Sequence, residues 1–294
     1  MTLKTVGIIS AGDMGAGIGG VLGANGLDVI TPLDGRSKLT HTRATEAGMR
    51  DVGSVDNLVR EADLVISVLV PAQATSIAQK TADAMGRTGA KPTYADCNAV
   101  APKTVEGISE IIGATGASFI DAGIIGSPPP GRSRFHCSGP DTSLFEELAG
   151  HGLKVLRVGP TIGQASGLKM VYGASTKGAW ALWIELLTAA RALGLSDALM
   201  AEFGAGNETV NNHYTSGVTD APRRVRRWVD EMEEIGSTFE SVGLTPKLMA
   251  GVAEMFRFVG ETHLGDQTSR EPNPELDTML DVLVEHARSR GKQA

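Results

Sequence analysis

The chain has 294 residues, of which 41% are hydrophobic and 21% charged, and its formal net charge is −7. This composition is normal for a globular protein and is enough for one large domain or two ordinary ones. The acidic balance argues against nucleic acid as a partner. Two cysteines without a CxxC spacing predict neither a zinc site nor a disulfide framework.

The start of the chain bears on its location. Residues 1–4 lead directly into an apolar strand pattern, which leaves no room for a signal peptide. The longest apolar run, 62–71, contains Asp63 and is too short to span a bilayer. We therefore expect a soluble, cytoplasmic protein.

The first half of the chain alternates short β-branched runs with helical patterns, an arrangement typical of parallel βαβ units. Continuous apolar runs such as 64–69 favour strands that are covered on both faces. The pattern predicts an α/β fold that begins with a Rossmann-type, doubly wound sheet. Strands are predicted at 5–9, 27–31, 64–69, 93–96, 118–121, 134–137 and 154–158, with helices at 12–24, 37–48, 72–86 and 102–113.

The second half is helical, because strand patterns disappear after Pro160 and helix-forming residues dominate. This shift predicts a dinucleotide-binding domain at 1–162 and an all-α C-terminal domain at 163–294. Helices are predicted at 167–193, 196–203, 222–242 and 245–260, and a charged terminal helix follows a linker at 265–274.

An arginine-rich run, 223–227, precedes the acidic residues at 230–234. This arrangement favours salt bridges within one helix over a binding site for an acidic substrate. The six histidines are scattered, without a spacing typical of a metal site.

A glycine-containing turn lies between the first strand and the first helix. In such turns the middle glycine lets the backbone approach a pyrophosphate, and the last allows close packing of helix on strand. The new helix N-terminus supplies amide donors. Ser10 takes the place of the first glycine, so an ordinary strand-to-helix turn is the alternative. The predicted cofactor-binding residues are Ser10, Ala11, Gly12, Asp13, Met14 and Gly15.

The end of the second strand indicates the type of cofactor. Asp34 would bond the ribose hydroxyls and favour NAD(H). Arg36 and Ser37 would instead hold a 2′-phosphate and favour NADP(H), because guanidinium geometry suits phosphate. We expect NADP(H) over NAD(H); a solvated loop arginine is the alternative.

Several blocks together resemble the β-hydroxyacid dehydrogenase superfamily, which includes the 6-phosphogluconate and 3-hydroxyisobutyrate dehydrogenases. The turn at 10–15 looks like the family's GLGxMG, and Gly35-Arg36-Ser37 is similar to the Asn-Arg-Thr of NADP-using members. The helical half resembles an uncharacterised phosphogluconate-dehydrogenase-like branch. Further similar blocks are 69–71 and 96–102 (loops after strands), 121–126 (the substrate segment DAPVSGG) and 163–169 (the GxGxxxK motif).

The resemblance implies site residues beyond the turn. Leu69 and Val70 would contact the cofactor, and Asn98 would contact the cofactor or the substrate, with capping of the local loop as the alternative for Asn98. Asp121 would orient the site, although capping of a helix or loop is an equally good interpretation. The implied substrate-binding residues are Asp121, Ile124, Ile125 and Gly126.

Lys169 is the predicted proton donor or acceptor. Hydride transfer needs a group that moves a proton at the substrate oxygen, and a desolvated lysine near a helix N-terminus does so near neutral pH. Tyr172 shares a helix face with Lys169 and is either a second catalytic residue or part of the core. A short-chain dehydrogenase is excluded, since Tyr-x-x-x-Lys does not occur in the chain.

Two departures from the family weaken the prediction of substrate. The family's serine in DAPVSGG falls on Ile125, and its asparagine four residues after the lysine falls on Gly173. Both losses argue against a standard 3-hydroxy acid or 6-phosphogluconate substrate. Imine reductases share the fold and lack these groups, but they usually lack the lysine too.

The expected function is therefore that of an NAD(P)-dependent dehydrogenase or reductase. It would transfer a hydride between nicotinamide and a small hydroxy or carbonyl compound. Reduction of an imine and a non-catalytic NADP-binding sensor are the alternatives. The resemblance and the apolar helix with Trp180 and Trp183 imply a homodimer formed through the helical domain.

Overall fold

The computed structural model describes residues 3–206, 208–268 and 271–291. It has an eight-stranded sheet with helices, followed by a helical region, which confirms the predicted α/β fold class. The chain divides into two compact units, Met1–Val171 and Tyr172–Ala294, which are considered separately below.

The first unit alternates strands and helices. The strands are β1 (Thr5–Ile9), β2 (Asp28–Thr31), β3 (Arg50–Asp51), β4 (Leu64–Ser67), β5 (Thr93–Asp96), β6 (Phe119–Ile125), β7 (Arg134–Ser138) and β8 (Val155–Gly159). The helices are α1 (Asp13–Ala24), α2 (Lys38–Glu46), α3 (Val55–Glu61), α4 (Ala74–Thr88), α5 (Pro102–Gly113), α6 (Ser143–Glu146) and the start of α7 (Gln164–Ala192).

The strand order is β3-β2-β1-β4-β5-β6-β7-β8. Neighbouring strands pair in parallel except β6 and β7, which are antiparallel. Strand β1 lies between β2 and β4, so the direction in which strands are added reverses beside it. Open α/β sheets bind ligands at the carboxyl ends of the strands at such a point.

Two hydrophobic clusters cover the sheet. Successive strand residues point to opposite faces, so Ile8 belongs to one cluster and Ile9 to the other. Helix α1 supplies Ile18 to the first cluster, and helix α5 supplies Ile108 to the second. Coverage on both faces explains the continuous apolar strands of the sequence.

Three features of this unit differ from the sequence prediction. Strand β6 does not end at 121 but continues to Ile125, because antiparallel pairing with β7 extends it beyond the end of β5. The predicted strand at 64–69 ends at Ser67. Strand β3 and helices α3 and α6 were not predicted, since two, seven and four residues are too few for a periodic pattern.

The second unit is helical in the part that the structure describes. The rest of α7 is followed by α8 (Ser196–Ala205), α9 (Glu208–Gly217), α10 (Pro222–Ser241), α11 (Lys247–Gly260) and α12 (Leu276–Gly291). Helix α9 was not predicted; its Tyr214 stacks on Trp183 with ring centroids 4.9 Å apart. No helix within the described ranges has the length and apolar character needed to span a membrane.

The arginines at the start of α10 hold neighbouring segments. The sequence predicted salt bridges within one helix, and this prediction is wrong for three of the arginines. Their partners lie before the helix or in the segment 260–273. The partners are Asp220 for Arg224 at 2.8 Å, Asp266 for Arg226 at 2.7 Å, and the backbone oxygens of 268 and 271 for Arg223 at 3.2 and 3.0 Å.

Candidate active site

The turn after β1 has the backbone shape of a glycine turn even where glycine is missing. Ser10 has a φ of +82°, in the left-handed region that favours glycine. A Cβ on Gly15 would lie 2.0 Å from the backbone oxygen of Ser10, so the last glycine is required sterically. The serine therefore takes the conformation of the glycine that it replaces.

The N-terminus of α1 has the features that a pyrophosphate needs. Gly12 is the N-cap, and no side chain caps the helix. The nearest atom to a Cβ built on Gly12 would be Ser10 Oγ at 3.9 Å, so the backbone is open to close approach. Asp13 in the first turn forms an ion pair with Arg43 at 2.6 Å. The helix dipole and the uncapped first turn fit a dinucleotide phosphate.

The loop after β2 carries the residues that were predicted to select the cofactor. Ser37 is the N-cap of α2 and accepts a hydrogen bond from Thr40 N at 3.3 Å. Arg36 is half-buried, and no partner of its guanidinium is found among the described residues. Asp34 is exposed. Arg36 is thus placed next to a helix N-terminus.

A row of polar side chains crosses the sheet near the carboxyl ends of its strands. The register pairs Ser67 with Asp96, Asp96 with Asp121, and Asp121 with Ser138. All four side chains are buried. Because registered neighbours point to the same face, the row brings two carboxyl groups and two hydroxyls together inside the protein.

Asn98 ties together the loops after β4 and β5. Its Oδ1 accepts from Leu69 N at 2.7 Å, and its Nδ2 donates to Asp96 Oδ2 at 2.8 Å and to Ser67 Oγ at 3.1 Å. Burial raises the pKa of Asp96 to about 7. The Asn98 side chain has the geometry of a loop clamp, and Val70 beyond it is 41% exposed. Cofactor contacts of Leu69, Val70 and Asn98 remain predictions.

Asp121 caps helix α7. Its Oδ2 accepts from the backbone N–H groups of Gly163, Ala165 and Ser166 at 2.9, 3.0 and 3.1 Å. Its Oδ1 accepts from Ser166 Oγ at 2.6 Å, and Ser138 Oγ donates to Oδ2 at 2.8 Å. A fully buried carboxylate with five donors satisfies the helix N-terminus, which is the capping interpretation of this residue.

Lys169 follows on the second turn of α7. Its Nζ donates to the backbone oxygen of Ile124 at 2.7 Å, and the side chain is half-buried. A Cβ on Gly123 would lie 2.8 Å from the backbone oxygen of Ala165 and 3.0 Å from Lys169 Cβ. The glycine therefore permits the close approach that seats the lysine at the carboxyl end of β6.

The predicted substrate residues of β6 differ in exposure. Ile124 and Ile125 are each 4% exposed and belong to the interior of the described structure. Gly126, with a φ of +120°, is exposed at the start of the loop to β7. The structure brings Asp121, Ile124 and Lys169 together.

Tyr172 and Gly173 begin the second unit. Tyr172 is 44% exposed. A Cβ on Gly173 would lie 3.3 Å from Glu231 Oε1 of α10, so a carboxylate lies close to the place where the family's asparagine side chain would start. Glu231 pairs with Lys177 Nζ at 2.7 Å, and both side chains are largely buried. This buried pair was missed because the two residues are 54 positions apart.

Other contributors that the sequence did not single out are Ser138 and Ser166. Single serines carry no pattern, and only the register of β6 with β7 and the start of α7 bring them to Asp121. Within the described residues, no cluster of His, Cys, Asp or Glu suitable for a metal ion is found.

Two family models match the chain. Residues 5–136 match the NAD binding domain of 6-phosphogluconate dehydrogenase, and residues 190–259 match a domain of unknown function, DUF1932. An uncharacterised 28.5 kDa protein of Methanothermus fervidus is 29% identical over 239 residues, which cover 80% of this chain and 91% of that protein.

Solved structures share the fold over most of the chain. A conserved protein of unknown function, described as structurally similar to 3-hydroxyacid dehydrogenases, is 29% identical with a TM-score of 0.67, covering 90% of this chain and 100% of that one. The 3-hydroxyisobutyrate dehydrogenase of Mycobacterium tuberculosis has a TM-score of 0.69 at 16% identity, with 96% and 99% covered.

A reductive aminase from Aspergillus terreus, solved in complex with NADPH and ethyl levulinate, has a TM-score of 0.56 at 16% identity, with 96% and 99% covered. At such identities the likeness is one of fold alone. Residues 5–136 thus match the NAD binding domain of 6-phosphogluconate dehydrogenase, and the chain has the fold of the 3-hydroxyacid dehydrogenases.

Proposed function

We propose that this protein is an NAD(P)-dependent oxidoreductase that transfers a hydride between nicotinamide and a small hydroxy or carbonyl compound. The observation that carries the proposal is Lys169, whose ammonium group is held at Ile124 O beside the carboxyl end of β6. The turn at 10–15 follows β1 at the same end of the sheet, since β1 and β6 belong to its parallel part.

The bound nicotinamide would supply the hydride, and the chain supplies the rest of the chemistry. Lys169 donates a proton to the substrate oxygen during reduction and accepts it during oxidation. Asp121 fixes the helix that carries the lysine, through three backbone amides and Ser166. The carbonyl oxygen of Ile124 orients the ammonium group. Tyr172 is the second candidate for contact with the substrate oxygen.

We infer a preference for NADP(H) from the loop after β2. Arg36 lies next to the N-cap Ser37, and no partner of its guanidinium occurs among the described residues. A guanidinium beside a helix N-terminus suits a 2′-phosphate. Asp34 would support NAD(H) instead.

A homodimer formed through the helical unit is part of the proposal. A groove of about 660 Å³ in this unit is lined by residues of α7, α11 and α12. Its rim includes Leu182 and Leu248, which are 58% and 68% exposed. Exposed apolar surface of this kind is typical of a subunit contact.

Imine reduction is the second candidate function, because a reductive aminase shares the fold. An absorbance assay at 340 nm tests both candidates, with NADP+ and NAD+ for hydroxy acids and with NADPH and NADH for ketones and cyclic imines. We expect turnover of a hydroxy or carbonyl compound, lost in Lys169→Ala and kept in Lys103→Ala, an exposed lysine of α5. Imine reduction that survives Lys169→Ala would favour the second candidate. Cofactor binding without any turnover would favour a sensor.

A further inference from the structure

Strand β7 carries two basic side chains on the sheet face that bears Lys169. The register pairs Gly123 with His136 and Ile125 with Arg134, and registered residues point to the same face. A Cβ on Gly123 would lie 3.0 Å from Lys169 Cβ, so α7 packs on this face. Arg134, His136 and Lys169 therefore share one face of the sheet.

Arg134 and Lys169 lie in adjacent rows of this face. Across antiparallel strands, directly opposite Cβ atoms are about 5 Å apart and diagonal ones about 7–8 Å. Gly123, which contacts Lys169, is diagonal to Arg134. Lys169 Nζ reaches Ile124 O, which is the position next to the pair of Ile125 and Arg134. The side chains of Arg134 and Lys169 are long enough to reach one small ligand together.

The two basic side chains of β7 have no assigned structural role. Arg134 and His136 are half-buried, and neither has a carboxylate or carbonyl partner among the described residues. Burial, with the nearby charge of Arg134, lowers the pKa of His136, so its ring is neutral near pH 7. The chain as a whole has a net charge of −7, which makes two neighbouring basic side chains without a carboxylate partner, Arg134 and His136, unusual among the described residues.

We propose that Arg134, assisted by His136, anchors an anionic group of the substrate while Lys169 faces the substrate's hydroxyl or carbonyl oxygen. This inference rests on the proposed function and assigns a specificity-determining residue: Arg134 would favour an anionic substrate over a neutral ketone or an amine. Arg134 is the register partner of Ile125, where the family's polar serine is missing. The anchor therefore moves from β6 to the neighbouring strand.

The first test measures anion binding without turnover. Oxalate and inorganic phosphate are titrated calorimetrically into the protein saturated with NADPH. We expect the affinity for oxalate to fall at least 10-fold in Arg134→Gln. It should fall less in Arg134→Lys, which keeps the positive charge but lacks the paired N–H donors of the guanidinium group. Arg157→Gln is the matched control, since Arg157 lies on β8 and pairs with Cys137, on the opposite face. Tighter binding of oxalate than phosphate identifies a carboxylate as the anchored group, and the reverse identifies a phosphate.

The second test compares the best acid from the substrate screen with its methyl ester. Arg134→Gln should raise KM for the acid about 10- to 100-fold, as expected for a lost charge-assisted hydrogen bond, with kcat nearly unchanged. The ester should be affected no more than it is by Arg157→Gln. A smaller rise of KM in Arg134→Lys than in Arg134→Gln would show that the loss of the guanidinium group, and not a folding defect, is the cause.

Three outcomes would overturn the proposal: no binding of either anion by the wild type, equal effects of Arg134→Gln and Arg157→Gln, or a change of oligomeric mass in Arg134→Gln. A change of oligomeric mass would show that the surface around Arg134 is a subunit contact. If anion binding depends on Arg134 but no compound is turned over, the anchor stands and the proposed function fails.

Discussion

Ser10 shows how a single residue departs from a motif and yet preserves its shape. A serine at a φ of +82° pays a steric cost that glycine does not. We expect Ser10→Gly to raise the free energy of unfolding by about 1 kcal/mol. Urea unfolding of the two proteins measures the difference.

Ser54→Gly is the control for this substitution, because Ser54 has a φ of −98° and caps α3. It should lower stability by a few tenths of a kcal/mol, about the usual cost of an N-cap glycine. A Ser10→Gly variant that is no more stable than wild type would contradict the strain argument.

Asp96 is a buried carboxyl group whose pKa is raised to about 7 by desolvation. The unfolded chain releases this proton near pH 4, so the folded state binds more protons between about pH 4 and 7. The stabilising contribution is present below pH 4 and is lost as the pH rises through 7. Between pH 4.5 and 8 the free energy of unfolding should fall by about 3 kcal/mol less in Asp96→Asn than in the wild type.

Unfolding curves at several pH values test this prediction against Asp141→Asn. Asp141 is exposed, and its pKa is lowered by hydrogen bonds from Ser143, so it does not titrate in this range. That control should follow the wild type. Parallel curves for Asp96→Asn and the wild type would show that Asp96 does not titrate as described.

Helix α7 is seated on β6 by contacts that depend on Gly123. An alanine there would press on Ala165 O and Lys169 Cβ. We expect Gly123→Ala to lower the free energy of unfolding by about 1–3 kcal/mol, as overpacking does. Displacement of the lysine should also lower kcat at least about 10-fold.

Gly86→Ala is the matched control for Gly123→Ala. Gly86 lies in α4, and nothing is within 4 Å of a Cβ built on it, so the variant should be as stable as wild type or more so. Equal stability of the Gly123 and Gly86 variants would show that α7 does not need the close approach.

The turn and most of the elements could be predicted from the sequence because their patterns are local, whereas β3, α3, α6 and α9 were missed. The βαβ alternation and the block at 163–169 need no knowledge of contacts between distant residues. The cap made by Asp121 and the clamp made by Asn98 depend on partners 29 to 45 positions away. The sequence therefore left both residues with two interpretations. The extension of β6 to Ile125, and with it the place of Arg134, depends on pairing with β7.

At the scale of the whole molecule, we predict a homodimer. Light scattering at micromolar concentration should give twice the chain mass of 30.7 kDa. Leu182→Glu, in the groove of the helical unit, should shift the mass towards that of the monomer. Leu39→Glu, an exposed leucine of the first unit, should not. A strictly monomeric wild type would contradict the prediction.

The central claim is that the turn at 10–15 binds a nicotinamide dinucleotide. Calorimetric titration of the wild type with NADPH and NADH tests it most directly, with Gly15→Val, which would collide with Ser10 O, as the impaired variant. We expect the wild type to bind both cofactors, NADPH at least 10-fold more tightly, and the variant to bind neither. A wild type that binds neither NADPH nor NADH would contradict the account.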